Sequence, residues 1–174
     1  PKKGYFCVLS HDITEHKKLE QLMMQQAYND PVTSLYNRTY FEEEMSRINN
    51  NLPLYMPVSI MSIDIDGLKV INDTLGHKAG DDLLKNAAGI ISEALGENAT
   101  AARIGGDEFG VILVNTGYDL AVEKKNKIIE LMDEFNSSKS FVPVSMSIGV
   151  ATFNEMDSDI YDTFKRSDDR MYKD

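Results

Sequence analysis

The sequence contains one cysteine, no long apolar run and no signal-peptide pattern. The single Cys7 excludes an internal disulfide framework and fits a reducing compartment. No run of apolar residues approaches the roughly 18 that a transmembrane helix needs. We therefore expect a cytoplasmic chain that makes no membrane contact of its own, with any membrane segments of a full-length protein lying outside this piece.

Basic residues are also scarce, since 18 Lys and Arg stand against 28 Asp and Glu, for a net charge of −10. Binding to a nucleic-acid backbone depends on clustered basic side chains, so this balance argues against a general nucleic-acid surface. It does not exclude a small phosphate-bearing substrate, because carboxylates can bind a divalent metal that in turn carries phosphates. The 174 residues suffice for one domain with a core and an appendage.

The first part of the chain reads as a strand followed by a helix. Residues 5–9 are aromatic or β-branched without a breaker, which is typical of a strand. From Thr14 the composition becomes helical, with an apolar seam of about two heptads, fewer than a coiled coil requires. We divide the chain into a terminal strand (1–12), a linker helix (13–29) and a main domain (30–174).

The main domain alternates strands and helices. After a turn cluster around Pro31, the patterns predict the following elements: helix Asn37 to Asn50, strand Val58 to Asp66, helix Ala79 to Leu95, strands on both sides of Gly105–Gly106, helix Leu120 to Phe135, strand Val144 to Phe153, and a helix from Asp159. This order predicts an α/β (α+β) fold with a β-α-β-β-α-β core, in which helices cover one face of a mainly antiparallel sheet.

Acidic residues interrupt two of these apolar segments. Side chains alternate along a strand, so Asp64 and Asp66 share a face, and Asp107 and Glu108 directly follow the Gly105–Gly106 turn. Burial or mutual repulsion of such acids is unfavourable unless a divalent cation compensates it. If the hairpin lies beside the strand, the four acids meet in a site that suits Mg²⁺ or Mn²⁺. The alternative is that each acid merely faces solvent at a strand end.

Five segments resemble blocks of one known family. "RIGGDEF" is similar to the signature of GGDEF domains, the diguanylate cyclases of bacteria. The remaining four resemble the family's other blocks, in order and at the right spacings: "DPVTSLYNR", "DIDGLKVINDTLGHKAGDDLL", "SIGVA" and "SDDRMY". The resemblance runs from Asp30 to the end of the chain. It implies a polymerase-palm or nucleotidyl-cyclase-like sheet, and condensation of two GTP into cyclic di-GMP with release of pyrophosphate.

The resemblance also implies roles for individual residues. Magnesium or manganese would be held by Asp64, the carbonyl of Ile65 and Asp107, with support from Glu108. Asp107 would also be the base for the ribose 3′-hydroxyl. Lys69 would stabilise charge on the phosphates; the less favoured alternative is a solvated lysine at a helix end.

Guanine would be recognised by Asn72 and Asp81, and flanked by His77 and Leu84. Asp81 could instead be only a helix N-cap, and His77 alone fits a structural role. Gly105 and Gly106 would let the backbone approach the nucleotide and adopt dihedral angles closed to other residues.

Three departures from the family pattern affect these expectations. The positions of an inhibitory R-x-x-D product site read "GENA" here, from Gly96 to Ala99, so product inhibition through that site is not expected. The family's Y-x-A-K lysine would follow Asp174 and is not in the given sequence. Gly67 and Leu68 depart from the family's usual turn after the strand that carries Asp64, and we expect no functional consequence of this departure.

Residues 1–12 resemble the last strand of a PAS sensor domain, and "HDITEHKKLEQ" resembles its usual linker. This implies that the cyclase is the output of a sensor protein. Because each copy would hold one GTP, catalysis would require a homodimer, transient or linker-driven. The competing hypothesis is a catalytically inactive module that binds GTP or a partner for regulation. A phosphodiesterase or a template-dependent polymerase has no support in the sequence.

Overall fold

The structure is a computed structural model that describes residues 26–96, 99–138 and 142–172. The expected PAS strand (1–12) lies outside these ranges, as does most of the expected linker helix (13–29), of which residues 26–28 are helical. Both assignments therefore stay predictions.

A mixed sheet forms the centre of the part that the structure describes. Its strands are β1 (Tyr36–Asn37), β2 (Ser59–Ile65), β3 (Ala99–Arg103), β4 (Glu108–Leu113) and β5 (Met146–Thr152). Their spatial order is β1-β3-β4-β2-β5, with β1 parallel to β3 and every other neighbouring pair antiparallel. The prediction of a mainly antiparallel sheet is confirmed. β2 lies between β4 and β5, so the strand that carries Asp64 is paired along both edges.

Helices α1 (Arg38–Asn49), α2 (Leu68–Leu75), α3 (His77–Leu95), α4 (Tyr118–Ser137) and α5 (Ile160–Met171) flank the sheet. Side-chain caps fix where two of them begin, since Asn37 accepts a hydrogen bond from the Tyr40 amide and Asp159 caps the first turn of α5. Both lie within one residue of the predicted starts. No helix of the described segments has the length and apolar character needed to cross a bilayer.

The helices of the β-α-β-β-α-β core, α3 and α4, cover one face of the sheet as predicted, but α1 and α5 cover the other face as well. Met61 and Ile63 pack in one cluster with residues of α3 and α4, whereas Ile60 and Ile112 pack in a second cluster with residues of α1 and α5. In the last strand small residues alternate with Met146, Ile148 and Val150, a pattern typical of a strand that is covered on one side, yet these small residues allow close packing on the other side. A Cβ atom added at Gly149 would lie 2.0 Å from the Ser167 carbonyl oxygen of α5.

The sequence patterns missed three short elements, one of which is a 3₁₀ helix at Leu52–Leu54. α2 spans eight residues between Gly67 and Gly76, whose φ angles of 74° and 85° lie in the left-handed region. Sequence patterns do not predict α2 because it is short and has no side-chain cap. The glycines on either side of it are nevertheless a usable signal. β1 has only two residues and exists through its parallel pairing with β3, which is a tertiary contact. The predicted start of α3 at Ala79 is corrected to His77.

Candidate functional site

The two acidic stretches meet at one end of the sheet. Asp64 lies opposite Glu108 in the antiparallel register of β2 and β4. The Ile65 amide donates a hydrogen bond of 2.9 Å to the Asp107 carbonyl oxygen. The hairpin therefore lies beside β2, which is the arrangement that the acidic pattern required.

Asp64 sits in a strongly negative environment. Its side chain is half-buried, and burial together with the charges of Asp107, Asp66, Glu108 and Asp168 raises the pKa of Asp64 to about 6. Asp168 enters from α5 and was not assigned a role in the sequence, although it belongs to the "SDDRMY" block. A bound cation would relieve this repulsion.

Glu108 folds back over the turn that precedes it. A Cβ atom added at Gly105 would lie 2.3 Å from Glu108 Oε2, whereas one added at Gly106 would meet nothing within 4 Å. Neither glycine has a positive φ angle, so the expectation of dihedral angles closed to other residues was wrong. Gly105 is needed because its missing side chain leaves room for the Glu108 carboxylate.

Arg103 connects this turn to the beginning of the domain, a contact that the sequence patterns missed. Its guanidinium donates to the Gly106 carbonyl oxygen at 2.7 and 3.2 Å and to both carboxylate oxygens of Asp30 at 3.3 Å. Burial would raise the pKa of Asp30, but hydrogen bonds from Thr33 and the nearby Arg103 outweigh it and lower that pKa. The "DPVTSLYNR" block thus helps to fix the hairpin.

Asn72 and Asp81, the expected guanine-binding residues, come from neighbouring helices that meet at Gly80. A Cβ atom at Gly80 would lie 2.0 Å from Asn72 Oδ1, so the Asn72 amide packs directly against the residue before Asp81. Asp81 is half-buried in the second turn of α3. Its interpretation as a helix N-cap was wrong, because that position belongs to Gly76.

The other expected substrate residues differ in exposure. Lys69 on α2 and His77 at the start of α3 are exposed, and neither has a side-chain partner among the described residues. Leu84 is only 3% exposed and packs in the core with residues of α3 and β2, so it offers almost no surface to a ligand.

The oxygen atoms of this site fit a metal ion whose remaining ligands are substrate phosphates and water. In residues 26–96, 99–138 and 142–172, no group of three or more His, Cys, Asp or Glu side chains is placed to hold a metal ion. Asp64, Asp107 and the Ile65 carbonyl offer hard oxygen atoms but no closed cage. Mg²⁺ is commonly bound by one or two carboxylates together with substrate phosphates and water, which matches this set.

A separate cavity of about 280 Å³ opens between α1 and α5 and reaches Glu108 and Asp168. Phe41, Met45 and Phe164 are among the apolar residues that line it. It lies on the face of the sheet covered by α1 and α5, whereas Asn72 and Asp81 belong to α2 and α3. The cavity is therefore distinct from the expected guanine site.

The sequence and structure were compared with known proteins. Residues 27–174 match the family model "Diguanylate cyclase, GGDEF domain". A diguanylate cyclase of Vibrio cholerae serotype O1 is 32% identical over 169 residues, which cover 95% of this chain and 52% of that protein. The solved GGDEF domain of TpbB (YfiN) from Pseudomonas aeruginosa superimposes with a TM-score of 0.72 at 36% identity, over 84% of this chain and 87% of that one.

DgcB of Caulobacter crescentus, solved as a coiled coil and GGDEF domain, gives a TM-score of 0.79 at 22% identity and covers 92% of this chain and 86% of that one. At this identity the likeness shows the fold alone. The chain belongs to the GGDEF family of diguanylate cyclases. It spans between about a fifth and a half of the length of the first curated relatives that it matches, at 52%, 21% and 33%.

Proposed function

We propose that this domain condenses two GTP into cyclic di-GMP and two pyrophosphate, as the output of a sensor protein. The observation that carries the proposal is the register of β2 and β4, which places Asp64 opposite Glu108 and next to Asp107 at one end of the sheet. Family membership and relatives named diguanylate cyclase support the same reaction.

Asp64, Asp107 and the Ile65 carbonyl would hold Mg²⁺ or Mn²⁺, with Glu108 in support. When bound, the cation neutralises charge on the triphosphate and lowers the pKa of the attacking hydroxyl. The half-buried Asp64 favours such a cation because its own charge is poorly compensated by the protein. Lys69, exposed and without a side-chain partner among the described residues, is free to approach the phosphates as a point charge.

Asp107 is the proposed general base. It would accept the proton of a ribose 3′-hydroxyl, whose oxygen then forms a bond to the α-phosphorus of the second GTP. The bond between the α-phosphorus and the bridging oxygen breaks, and pyrophosphate leaves with that oxygen. Two such steps close the cyclic dinucleotide.

Asn72 and Asp81 are proposed to select guanine. A carboxylate at Asp81 can accept hydrogen bonds from N1–H and the exocyclic amine of guanine, a pair of donors that adenine lacks. A site built on such hydrogen bonds rejects the wrong base strongly, because its buried polar groups are left unpaired. The packing of Asn72 against Gly80 supports this assignment, since it holds both side chains in one neighbourhood.

The product is two-fold symmetric, and each copy of this domain offers one set of these residues. We therefore propose that catalysis occurs between two copies that face each other, brought together transiently or by a linker. Product inhibition through the R-x-x-D positions is not expected, because Gly96 and Ala99 occupy the places of its arginine and aspartate.

Incubation with GTP and Mg²⁺, followed by chromatography of the products, tests the reaction. We expect cyclic di-GMP from a version dimerised through a fused leucine zipper, and none from the same fusion carrying Asp107→Ala. The competing hypothesis of an inactive regulatory module predicts GTP binding by calorimetry without any product, even in the dimer. That result would overturn the proposed activity.

A further inference from the structure

The acidic pattern grouped Asp66 with Asp64, Asp107 and Glu108 in one metal site, but in the structure the Asp66 carboxylate is directed to β5 instead. Its two carboxylate oxygens are both engaged by β5. Ser145 Oγ donates to Oδ2 at 2.6 Å, and Ser147 Oγ donates to Oδ1 at 3.1 Å. Because β5 and β4 lie on opposite sides of β2, these bonds hold the Asp66 carboxylate on the side away from the hairpin.

The backbone at Asp66 is fixed by the same strand. The Asp66 amide donates to the Ser145 carbonyl oxygen at 3.0 Å. In a planar trans peptide the N–H and C=O point in opposite directions, so the Ile65 carbonyl, which shares this peptide, points away from β5 and toward the hairpin. The Ile65 amide points the same way, as its bond of 2.9 Å to the Asp107 carbonyl oxygen requires.

This peptide lies just beyond the last residue pair of the ladder, Ile65 with Met146. Without further contacts, such a strand end would be free to rotate and the carbonyl could turn to solvent. The two serine hydroxyls strengthen the attachment of β2 to β5 at Asp66, because they hold its carboxylate in addition to the bond between the Asp66 amide and the Ser145 carbonyl oxygen.

We propose that Asp66 is a positioning residue which, with Ser145 and Ser147, forms a clamp that aims the Ile65 carbonyl into the acidic site. This inference rests on the proposed metal site. Ile65 would be a ligand through its backbone, where no side-chain choice can set the direction of the oxygen. The clamp supplies that direction from outside the ligand set, a function that residues behind a metal site commonly have.

The clamp and two alternative roles of Asp66 predict different effects of substitutions on metal binding. If Asp66 were itself a ligand, its loss would equal the loss of Asp64. If Asp66 acted only through its charge, removing the serine hydroxyls would change nothing, because every charge remains. The clamp alone requires that removal of the two hydroxyls weakens metal binding.

The test measures binding of the α,β-methylene analogue of GTP, which cannot release pyrophosphate, by calorimetry with excess Mn²⁺ and with EDTA. The ratio of the two affinities is the metal-dependent gain. We compare the unchanged chain with Asp66→Ala, the double variant Ser145→Ala plus Ser147→Ala, and Asp64→Asn. Ser145→Thr is the matched control, because it keeps the hydroxyl.

We expect the double alanine variant and Asp66→Ala each to reduce the metal-dependent gain in affinity about tenfold, which is the lower end for residues behind a metal site. Affinity in EDTA should be unchanged and Ser145→Thr should resemble the unchanged chain. Melting temperatures should differ little, because hydrogen bonds exposed to water add little net stability. Asp64→Asn should lose the gain entirely.

An undiminished metal-dependent gain in the double alanine variant overturns the clamp, as does a loss in Asp66→Ala as complete as in Asp64→Asn. A loss of gain that only accompanies unfolding also overturns it, since the residues would then be structural. If the unchanged chain shows analogue binding but no metal-dependent gain, the proposed metal site fails together with the clamp, and this result is distinguishable from the others.

Discussion

Asp64 on β2 lies directly across the ladder from Glu108 on β4, and the turn that separates β4 from β3 carries Asp107 past the end of β2. Antiparallel pairing thus brings together carboxylates that are more than forty positions apart in the chain. The cost is electrostatic, because the cluster includes no basic side chain that forms an ion pair with Asp64 among the described residues.

Asp64→Asn should stabilise the metal-free domain at pH 7.5. The pKa of Asp64 is about 6 in the fold against an ordinary value of 3.8, so the folded state binds this proton more tightly than the unfolded chain does. Ionisation therefore opposes folding: the penalty is absent below pH 3.8, grows as the pH rises to about 6 and is complete above it. After allowance for solvent screening of a partly exposed group, we expect a gain of about 1 kcal/mol.

Urea unfolding in EDTA at pH 7.5 and pH 5 measures this difference, which should shrink at the lower pH. The exposed Asp73→Asn is the control and should show no gain. A variant at Asp64 that is less stable than the unchanged chain at pH 7.5 would contradict the electrostatic account.

Gly105→Ala should disturb the site while leaving the fold intact. The added methyl group would lie 2.3 Å from Glu108 Oε2, and the flexible, exposed carboxylate must move away. We expect about a tenfold loss of Mn²⁺ affinity, as for other displaced groups around a metal, with little change in melting temperature. Gly106→Ala meets nothing within 4 Å and should retain metal affinity. Equal metal affinity in both variants would show that the position of Glu108 is unimportant.

Gly80→Ala should weaken recognition of guanine, because a methyl group 2.0 Å from Asn72 Oδ1 displaces that amide. The preference for GTP over ATP, measured by competition calorimetry, should fall about tenfold or more, as expected when a base-binding hydrogen bond is lost. Gly89→Ala lies on the same helix with nothing within 4 Å, and should instead stabilise the domain by about 0.5–1 kcal/mol. An unchanged preference in Gly80→Ala would argue against a role for Asn72.

Arg103→Ala should cost more stability than removal of an exposed ion pair. The Arg103 and Asp30 side chains are 15% and 16% exposed, and the guanidinium also holds the Gly106 carbonyl. We expect a loss of about 2 kcal/mol in chemical unfolding, since the largely buried Asp30 carboxylate loses its charged donor. The control Lys127→Ala breaks an exposed pair with Glu130 and should cost less than about 0.5 kcal/mol. Similar losses of unfolding free energy in both variants would show that Arg103 contributes no more than an exposed ion pair does.

Local patterns were sufficient to predict much of this fold. Alternation along β2 placed Asp64 on one face, and the glycines at 105 and 106 marked the turn into β4. Both signals concern neighbouring residues, which is why they could be interpreted without coordinates. The same is true of the caps at Asn37 and Asp159.

What escaped prediction depends on contacts between distant residues. In sequence, Gly110 and Gly149 resemble the small residues of an uncovered sheet face. Their missing side chains instead allow Phe41 and the backbone of α5 to approach the sheet. The need for glycine at 105 arises from a side chain three positions later, and the contact of Arg103 with Asp30 spans more than seventy positions. No periodic pattern in the sequence indicates contacts between such distant residues.

β2 is hydrogen-bonded along both edges, and this has a dynamic consequence. Its amides exchange with solvent only through openings that disrupt the whole sheet, so the half of the pocket that it carries lasts as long as the native state. The other half sits on a tight reversal of the chain, which is held by the Arg103 guanidinium and by the Ile65 amide. Of the two halves of the pocket, the reversal is therefore the one that can open without unfolding of the sheet.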